Sequence, residues 1–240
     1  MAVRFNGVTT SSYSATTGIP AGDFTMMCWV QIVADRNNFS TICSIENAAA
    51  SASSYLIIET GNDGTTANCY VTGSTIIGSI AMTVGTWYKV AASASGATTA
   101  FYGAAAGSAM TSLGTGGSGT FTRAQLYMGR NSFGEPLNGR IANYKLYQRA
   151  LTLAEVENEL AQYVPASVTN LQRWHPLLQA ETVDYSGNGN ALTADAGTIT
   201  TEDGPPIPWS STRPRLVVPP PIPPPPPDPL RVPVQIIQVP

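Results

Sequence analysis

An alternation that runs directly into a fully signalled helix start constrains this chain more than any other stretch. In Arg140–Ala150 the apolar Ile141, Tyr144 and Leu146 are separated by Asn143, Lys145 and Gln148. That is mostly the two-residue period of a strand with one buried face. Thr152 and Glu155, three residues apart, then form a capping box, and Leu151 and Val156 flank it as a hydrophobic staple. Leu153, Val156 and Leu160 make an apolar stripe at helical spacing, and Pro165 bars continuation. The pattern predicts a strand followed by a short amphipathic helix docked on a sheet, with Glu155, Glu157 and Glu159 on its solvated face.

Upstream, short apolar runs recur between turn signals. Val3–Phe5, Phe24–Val33, Ser40–Ile45, Tyr55–Glu59, Asn68–Thr72, Trp87–Ser93 and Thr98–Tyr102 read as strands. The turns Gly61-Asn62-Asp63-Gly64 and Ser95-Gly96 carry residues that tolerate positive φ, as tight hairpins demand. Many short strands at this spacing predict an all-β sandwich or jelly roll. Gly103–Gly119, rich in Gly, Ala and Ser, reads as a loop or a weak edge strand.

The run G-R-(loop)-N-G-R-I-x-x-Y-x-L-Y-x-R-A-L-T-x-x-E-V, from Gly129 to Val156, resembles the closing segment of laminin-G-like and pentraxin-like domains. Val3–Gly7, Phe24–Val30 and Thr86–Ala91 with Phe101–Gly103 resemble that family's opening turn, first long strand and central hairpin, so the likeness spans roughly residues 3–163. It implies a concanavalin A-like jelly-roll sandwich over residues 1–165, with Trp29 and Trp87 at core positions. Leu171–Leu177 and Asp184–Leu192 resemble the family's W-x-P-L and D-x-S-G-N-G-N segments, which normally precede the opening strand. Here they follow the helix. A permuted chain, a truncated second repeat and a strand swapped to a neighbour are the three readings. Completion of the same jelly roll by residues 166–212 is favoured, because the first copy otherwise lacks this strand.

The resemblance bears on function only loosely, because such folds carry lectins, enzymes, adhesion modules and inert structural pieces. It implies calcium ligands at Asp184 and Asn188, but the family's second acidic group is replaced by Ala142 and Asn143. The expectation is therefore no cofactor, with Asp184 capping its own turn. The E-x-D-x-x-E run of jelly-roll glycosidases is absent, and Glu46, Glu59, Asp63 and Glu135 stand isolated in the sequence, so no enzyme activity is expected. His175, the single histidine, reads as a half-buried structural residue beside Trp174. Tyr13, Tyr55, Tyr70 and Tyr127 are available as sugar platforms, without forming a cluster.

Composition narrows the partners. Charged residues make up 11% of the chain, against roughly 25% in typical soluble domains. A neutral surface of small residues suits a protein packed among neighbours, and a net charge of –3 gives nothing to nucleic acid. Cys28, Cys43 and Cys69 match no metal-binding spacing. Cys28 reads as a core residue, and a Cys43–Cys69 bridge stays open. No apolar run approaches the roughly 18 residues of a membrane span, and no export signal is recognised.

From Gly204 the composition changes. Pro219–Pro229 is almost continuous proline, which forces polyproline II geometry and a reach of roughly 34 Å at about 3.1 Å per residue. From Arg213 onward three arginines face one aspartate, a net +2, which leaves –5 for residues 1–212. The end, Val232–Pro240, is too apolar to stand free in water. Residues 213–240 are therefore expected to be a stiff arm that docks on a partner. Arg213, Arg215, Pro219, Pro223, Pro227, Arg231, Val234, Ile236 and Ile237 are the candidate partner-binding residues. The combined expectation is a non-enzymatic surface protein of a virion, a phage decoration or fibre-type component, homo-oligomeric and fastened to other subunits by the arm. The alternative is a glycan-binding adhesion module on a virion or cell surface.

Overall fold

A computed structural model describes residues 1–47, 55–72, 75–117 and 122–207. The chain divides into the unit Met1–Trp209 and a second unit, Ser210–Pro240, which lies outside the described residues. The first half contributes β1 (Ala2–Asn6), β2 (Tyr13–Ala15), β3 (Phe24–Ile32), β4 (Ser40–Glu46), β5 (Tyr55–Thr60), β6 (Thr66–Val71) and β7 (Thr75–Ala81). There follow β8 (Trp87–Ser95), β9 (Thr98–Ala105), β10 (Thr111–Gly117), β11 (Gln125–Met128), β12 (Asn138–Tyr147) and the helix α1 (Leu153–Leu160). β13 (Leu171–His175), β14 (Thr193–Ala194) and β15 (Ile199–Glu202) complete the described elements.

Among the described residues these strands form two antiparallel sheets, a jelly-roll sandwich. The first has the order β10-β9-β8-β3-β12-β1-β15, with β13 lying beside the far half of β12; the second runs β14-β2-β11-β4-β5-β6-β7. The register Val3↔Ile141 and Tyr144↔His175 shows β1 and β13 sharing one flank of β12. Residues 171–202 thus pair with β12, β2 and β1 of their own chain.

The two-residue period of β3 sorts its side chains. Phe24, Met26, Cys28, Val30 and Ile32 enter the core between the sheets, where they meet Ile42, Ile45, Leu56, Ile58, Leu126 and Leu146. Met27 and Trp29 point the other way, into a second cluster with Trp87, Tyr147, Val156 and Leu160 under the helix. Trp29 and Trp87 are therefore buried on the helix side of the sheet and not between the sheets. The helix start follows its sequence: the Glu155 amide donates to Thr152 Oγ1 at 3.3 Å, and the Thr152 amide to the Glu155 carboxylate at 2.8 Å. Leu151 and Val156 are buried beside it. Each fully buried aliphatic side chain stabilises the fold by about 1.5–3 kcal/mol.

Two expectations are corrected here. β12 is buried on both faces, because the helix covers the side that alternation had assigned to solvent. Lys145 and Asn143 are wholly inaccessible there. Asn143 adopts φ 51° at the bulge between Ala142 and Lys145, and its side-chain amide donates to the Gln162 carbonyl at 2.8 Å. Glu159 is buried as well, 3% exposed, and does not lie on a solvated face. It pairs with Lys145 at 3.0 Å and accepts the Ala166 and Ser167 amides at 3.0 and 2.9 Å. Glu157 and Glu155 face outward and pair with Lys89 at 3.8 Å and Arg149 at 2.7 Å.

The glycine-rich stretch after Thr98 is an edge strand and not a loop. Gly103–Ala105 extends β9, and β10 runs antiparallel to it with a bulge between Ser112 and Gly114. Its small residues are required by a close approach across the sandwich. A Cβ on Gly114 would lie 1.9 Å from the Ile77 carbonyl, and one on Gly78 2.9 Å from that of Leu113. β2, β7, β14 and β15 carry no sequence pattern strong enough to announce them.

Candidate functional site

The Asp184 loop is built on β13. Asp184 Oδ1 accepts the amides of Trp174 at 3.0 Å and Ser186 at 2.9 Å, and Oδ2 accepts the Asn190 amide at 2.9 Å and the Ser186 hydroxyl at 2.8 Å. Burial pushes this carboxyl up, but the four donors outweigh it and hold it below the ordinary aspartate range. Asn188 donates its side-chain amide to the Leu171 and Gln172 carbonyls at 2.6 and 3.3 Å. Asp184 thus spends both carboxylate oxygens on protein donors, and Asn188 spends its side-chain NH2 on the backbone of β13. Arg173, fully buried, ties that loop to the β2 side of the fold through the carbonyls of Asn190, Ala191 and Thr17.

The structure also assembles what the sequence keeps apart. Glu46 on β4, Glu59 on β5 and Glu135 in the β11–β12 loop converge on the outer face of the seven-stranded sheet. β4 and β5 pair so that Thr41 lies opposite Glu59, and Thr41 Oγ1 donates to Glu59 at 3.0 Å. Asn131, buried, donates to Glu59 at 3.3 Å and also to Glu135. The Ser132 amide and hydroxyl both donate to Glu46. Burial, and then the field of Glu135, pushes the Glu59 carboxyl up to about 8. Burial raises Glu46 as well, partly offset by the hydroxyls of Ser132 and Ser44. Their being isolated is corrected: only the β4–β5 register and the return of the β11–β12 loop bring them together. The one sequence hint was a charge within each of two otherwise uncharged strands.

A third feature lies on the other sheet. Beside the helix start, the outer face of the β8–β9 hairpin and the chain entering α1 enclose a cleft of about 210 Å³, lined by Ser93, Ser95, Thr98, Ala100, Tyr102, Ala150, Leu151 and Thr152. Its lining holds hydroxyls and one aromatic ring but no charged side chain. Ser93 Oγ is committed to the Leu151 carbonyl at 2.9 Å and Thr152 Oγ1 to Glu155 at 2.9 Å, whereas Thr98 is exposed. Burial raises the Tyr102 phenol above its ordinary range.

The remaining singled-out residues are structural. His175, 1% exposed, donates from Nδ1 to the Val183 carbonyl at 2.8 Å and packs beside Tyr144. Burial lowers it to about 4, so it is neutral at physiological pH. Tyr13 lies in the core against Phe5, while Tyr70 and Tyr127 are buried on the outer face of the seven-stranded sheet. None of the three is an exposed platform, and the side chain of Tyr55 is outside the described residues. All three cysteines are buried and free. Asp63 caps its own turn through the amides of Thr65 and Thr66. No group of three or more His, Cys, Asp and Glu among the described residues is arranged to hold a metal ion, and no described helix is long and apolar enough to cross a membrane. Arg213, Arg215, Pro219, Pro223, Pro227, Arg231, Val234, Ile236 and Ile237 lie outside the described residues.

Comparison with known proteins agrees with this architecture. The family model Laminin_G_3, described as concanavalin A-like lectin/glucanases superfamily, matches residues 5–157. A search of curated proteins finds no match. Among solved structures, a proposed carbohydrate-binding protein of Bacteroides ovatus superposes with a TM-score of 0.57 at 16% identity, over 83% of this chain and 61% of that one. Trypanosoma rangeli sialidase, in complex with the inhibitor DANA, superposes with a TM-score of 0.50 at 15% identity, over 65% of this chain and 26% of that one. The chain thus spans less than two thirds of either structure, and at these identities the likeness is one of fold.

Proposed function

Because the chain belongs to the Laminin_G_3 family of the concanavalin A-like lectin/glucanases superfamily, we propose that it is a non-catalytic glycan-binding module. The observation that carries this reading is the uncharged, hydroxyl-lined cleft walled by Tyr102 on the β8–β9 face. A neutral sugar needs that combination: an aromatic surface for its C–H face and hydroxyls to exchange hydrogen bonds with its own. The description of the Bacteroides ovatus relative supports the same ligand class. Against catalysis stands the chemistry of the carboxylates. Glycoside hydrolysis needs an acid and an ionised partner facing the sugar, whereas Glu46 and Glu59 are buried under the β11–β12 loop and occupied with Ser132, Thr41 and Asn131. A glycan array probed with the whole chain should show saturable retention of neutral glycans that survives a calcium chelator. Tyr102→Ala should weaken it about tenfold, equivalent to about 1.4 kcal/mol. Absence of saturable retention by the unmodified chain would overturn the reading.

A second reading keeps the same body and makes it a structural surface protein of a virion, fastened by residues 213–240. The nearly continuous proline of Pro219–Pro229 and the apolar Val234, Ile236 and Ile237 favour it. Removing residues 213–240 should then abolish incorporation into the particle while the circular dichroism and melting of the body stay unchanged. Normal incorporation of the shortened chain would refute the anchoring role.

A further inference from the structure

We propose that the segment Gly129–Leu137 is a proton-locked strap, closed over the outer face of the seven-stranded sheet while the buried Glu59 carboxyl, bridged through Asn131 to Glu135, stays protonated, and released as that proton is lost. The segment joins β11 to β12 and lies across β4. Two backbone bonds anchor it there, Gly129 N–H to the Ile42 carbonyl at 3.0 Å and Thr41 N–H to the Glu135 carbonyl at 3.1 Å. Between those points its hold is acidic. Asn131 bridges Glu59 and Glu135 with its side-chain amide, and its Oδ1 accepts the Phe133 and Glu135 amides at 3.0 and 3.2 Å.

Two carboxyl groups held on one side-chain amide, with a third beside them, disfavour a second negative charge, and burial of Glu59 adds to that cost, so the Glu59 proton is retained. The charged and titratable groups around the pair do not replace that proton. Glu46 on β4 adds a like field. Arg130, within the strap, is paired with Asp195 at 2.9 Å and stacked over Tyr127 on β11. Arg36, on the loop before β4, donates to the Pro136 carbonyl at 2.5 Å. No cation therefore contacts Glu59 or Glu135 among the described residues.

The sign follows from linkage. With the strap closed Glu59 holds its proton up to about pH 8; with the strap lifted, a solvated glutamate releases it near its ordinary value of about 4.3. Between those limits opening releases a proton, so the open fraction rises up to about tenfold per pH unit and levels off above the closed-state value. The strap is tightest in acid and loosens through neutrality, uncovering Ser44, Glu46 and Thr41.

Hydrogen–deuterium exchange of the whole chain between pH 5 and pH 8, corrected for intrinsic rates, tests this. Protection of the Phe133 and Glu135 amides should fall at least tenfold over that range, while the Cys28 and Val90 amides of the central strands stay protected. Glu59→Gln supplies a permanent donor in place of the protonated carboxyl and should abolish the pH dependence, whereas Glu135→Gln, which leaves Glu59 buried but removes a like charge beside it, should reduce it. PH-independent protection in the unmodified chain would overturn the proposal, as would an unchanged pH slope in both variants.

Discussion

Glu159→Ala is expected to cost about 3–5 kcal/mol of folding stability, the loss typical of removing one partner from a buried ion pair. For a chain of this size that lowers Tm by about 10 °C or more. The reason is the position of Lys145. Its ammonium is wholly buried in β12 and donates to the Glu159 carboxylate at 3.0 Å and to the carbonyls of Glu159 and Gln162. Burial already lowers Lys145 to about 8 despite that partner. A folded-state value below the ordinary lysine range means that the unfolded chain binds the proton more tightly between the two. Stability therefore rises with pH across that window. Without Glu159 the folded-state value drops further, so the variant should recover stability on alkalinisation more steeply than the unmodified chain. The loss also removes the acceptor of the Ala166 and Ser167 amides, which loosens the exit from the helix. Urea denaturation at pH 7 and pH 9.5 measures both effects. Replacing both partners, Lys145→Met with Glu159→Leu, should restore most of the stability. A loss below about 1 kcal/mol for Glu159→Ala would show that Lys145 finds water in the folded state.

Asp184→Ala is expected to destabilise by about 2–4 kcal/mol, because three backbone amides and the Ser186 hydroxyl lose their shared acceptor. The affected amides belong to Trp174, Ser186 and Asn190, so the loop should detach from β13 before the sandwich unfolds. Since the folded-state carboxyl sits below its ordinary value, its contribution is complete at neutral pH and disappears as pH falls through the folded-state value. The difference between variant and unmodified chain should therefore shrink in acid. Adding calcium to the unmodified chain should leave its melting unchanged, because both Asp184 oxygens already serve protein donors. A calcium-dependent rise in Tm that Asp184→Ala abolishes would reverse that conclusion.

Local chemistry made part of this molecule readable from its sequence. Thr152 and Glu155 define the helix start without reference to the rest of the chain, and the apolar run of β3 is long enough to announce a strand. The role of Lys145 was hidden by the same alternation that identified its strand. A polar residue at alternate positions signals a solvated face unless a helix returns to cover it, and that return depends on tertiary contacts of Val156 and Leu160. The meeting of Glu46, Glu59 and Glu135 is a matter of strand register and loop path, which no spacing encodes. Thr111–Gly117 was obscure for a related reason. Its residues were chosen for clearance against Ile77 and Leu113, not for strand propensity.

That clearance at Gly78 and Gly114 has a bearing on life at high density. Where β7 and β10 come together the backbones are too near for a foreign strand to slip between them, so the two sheets hide each other's ladder ends along this margin. Many copies of the domain can be crowded side by side without that flank offering a template for runaway cross-strand growth.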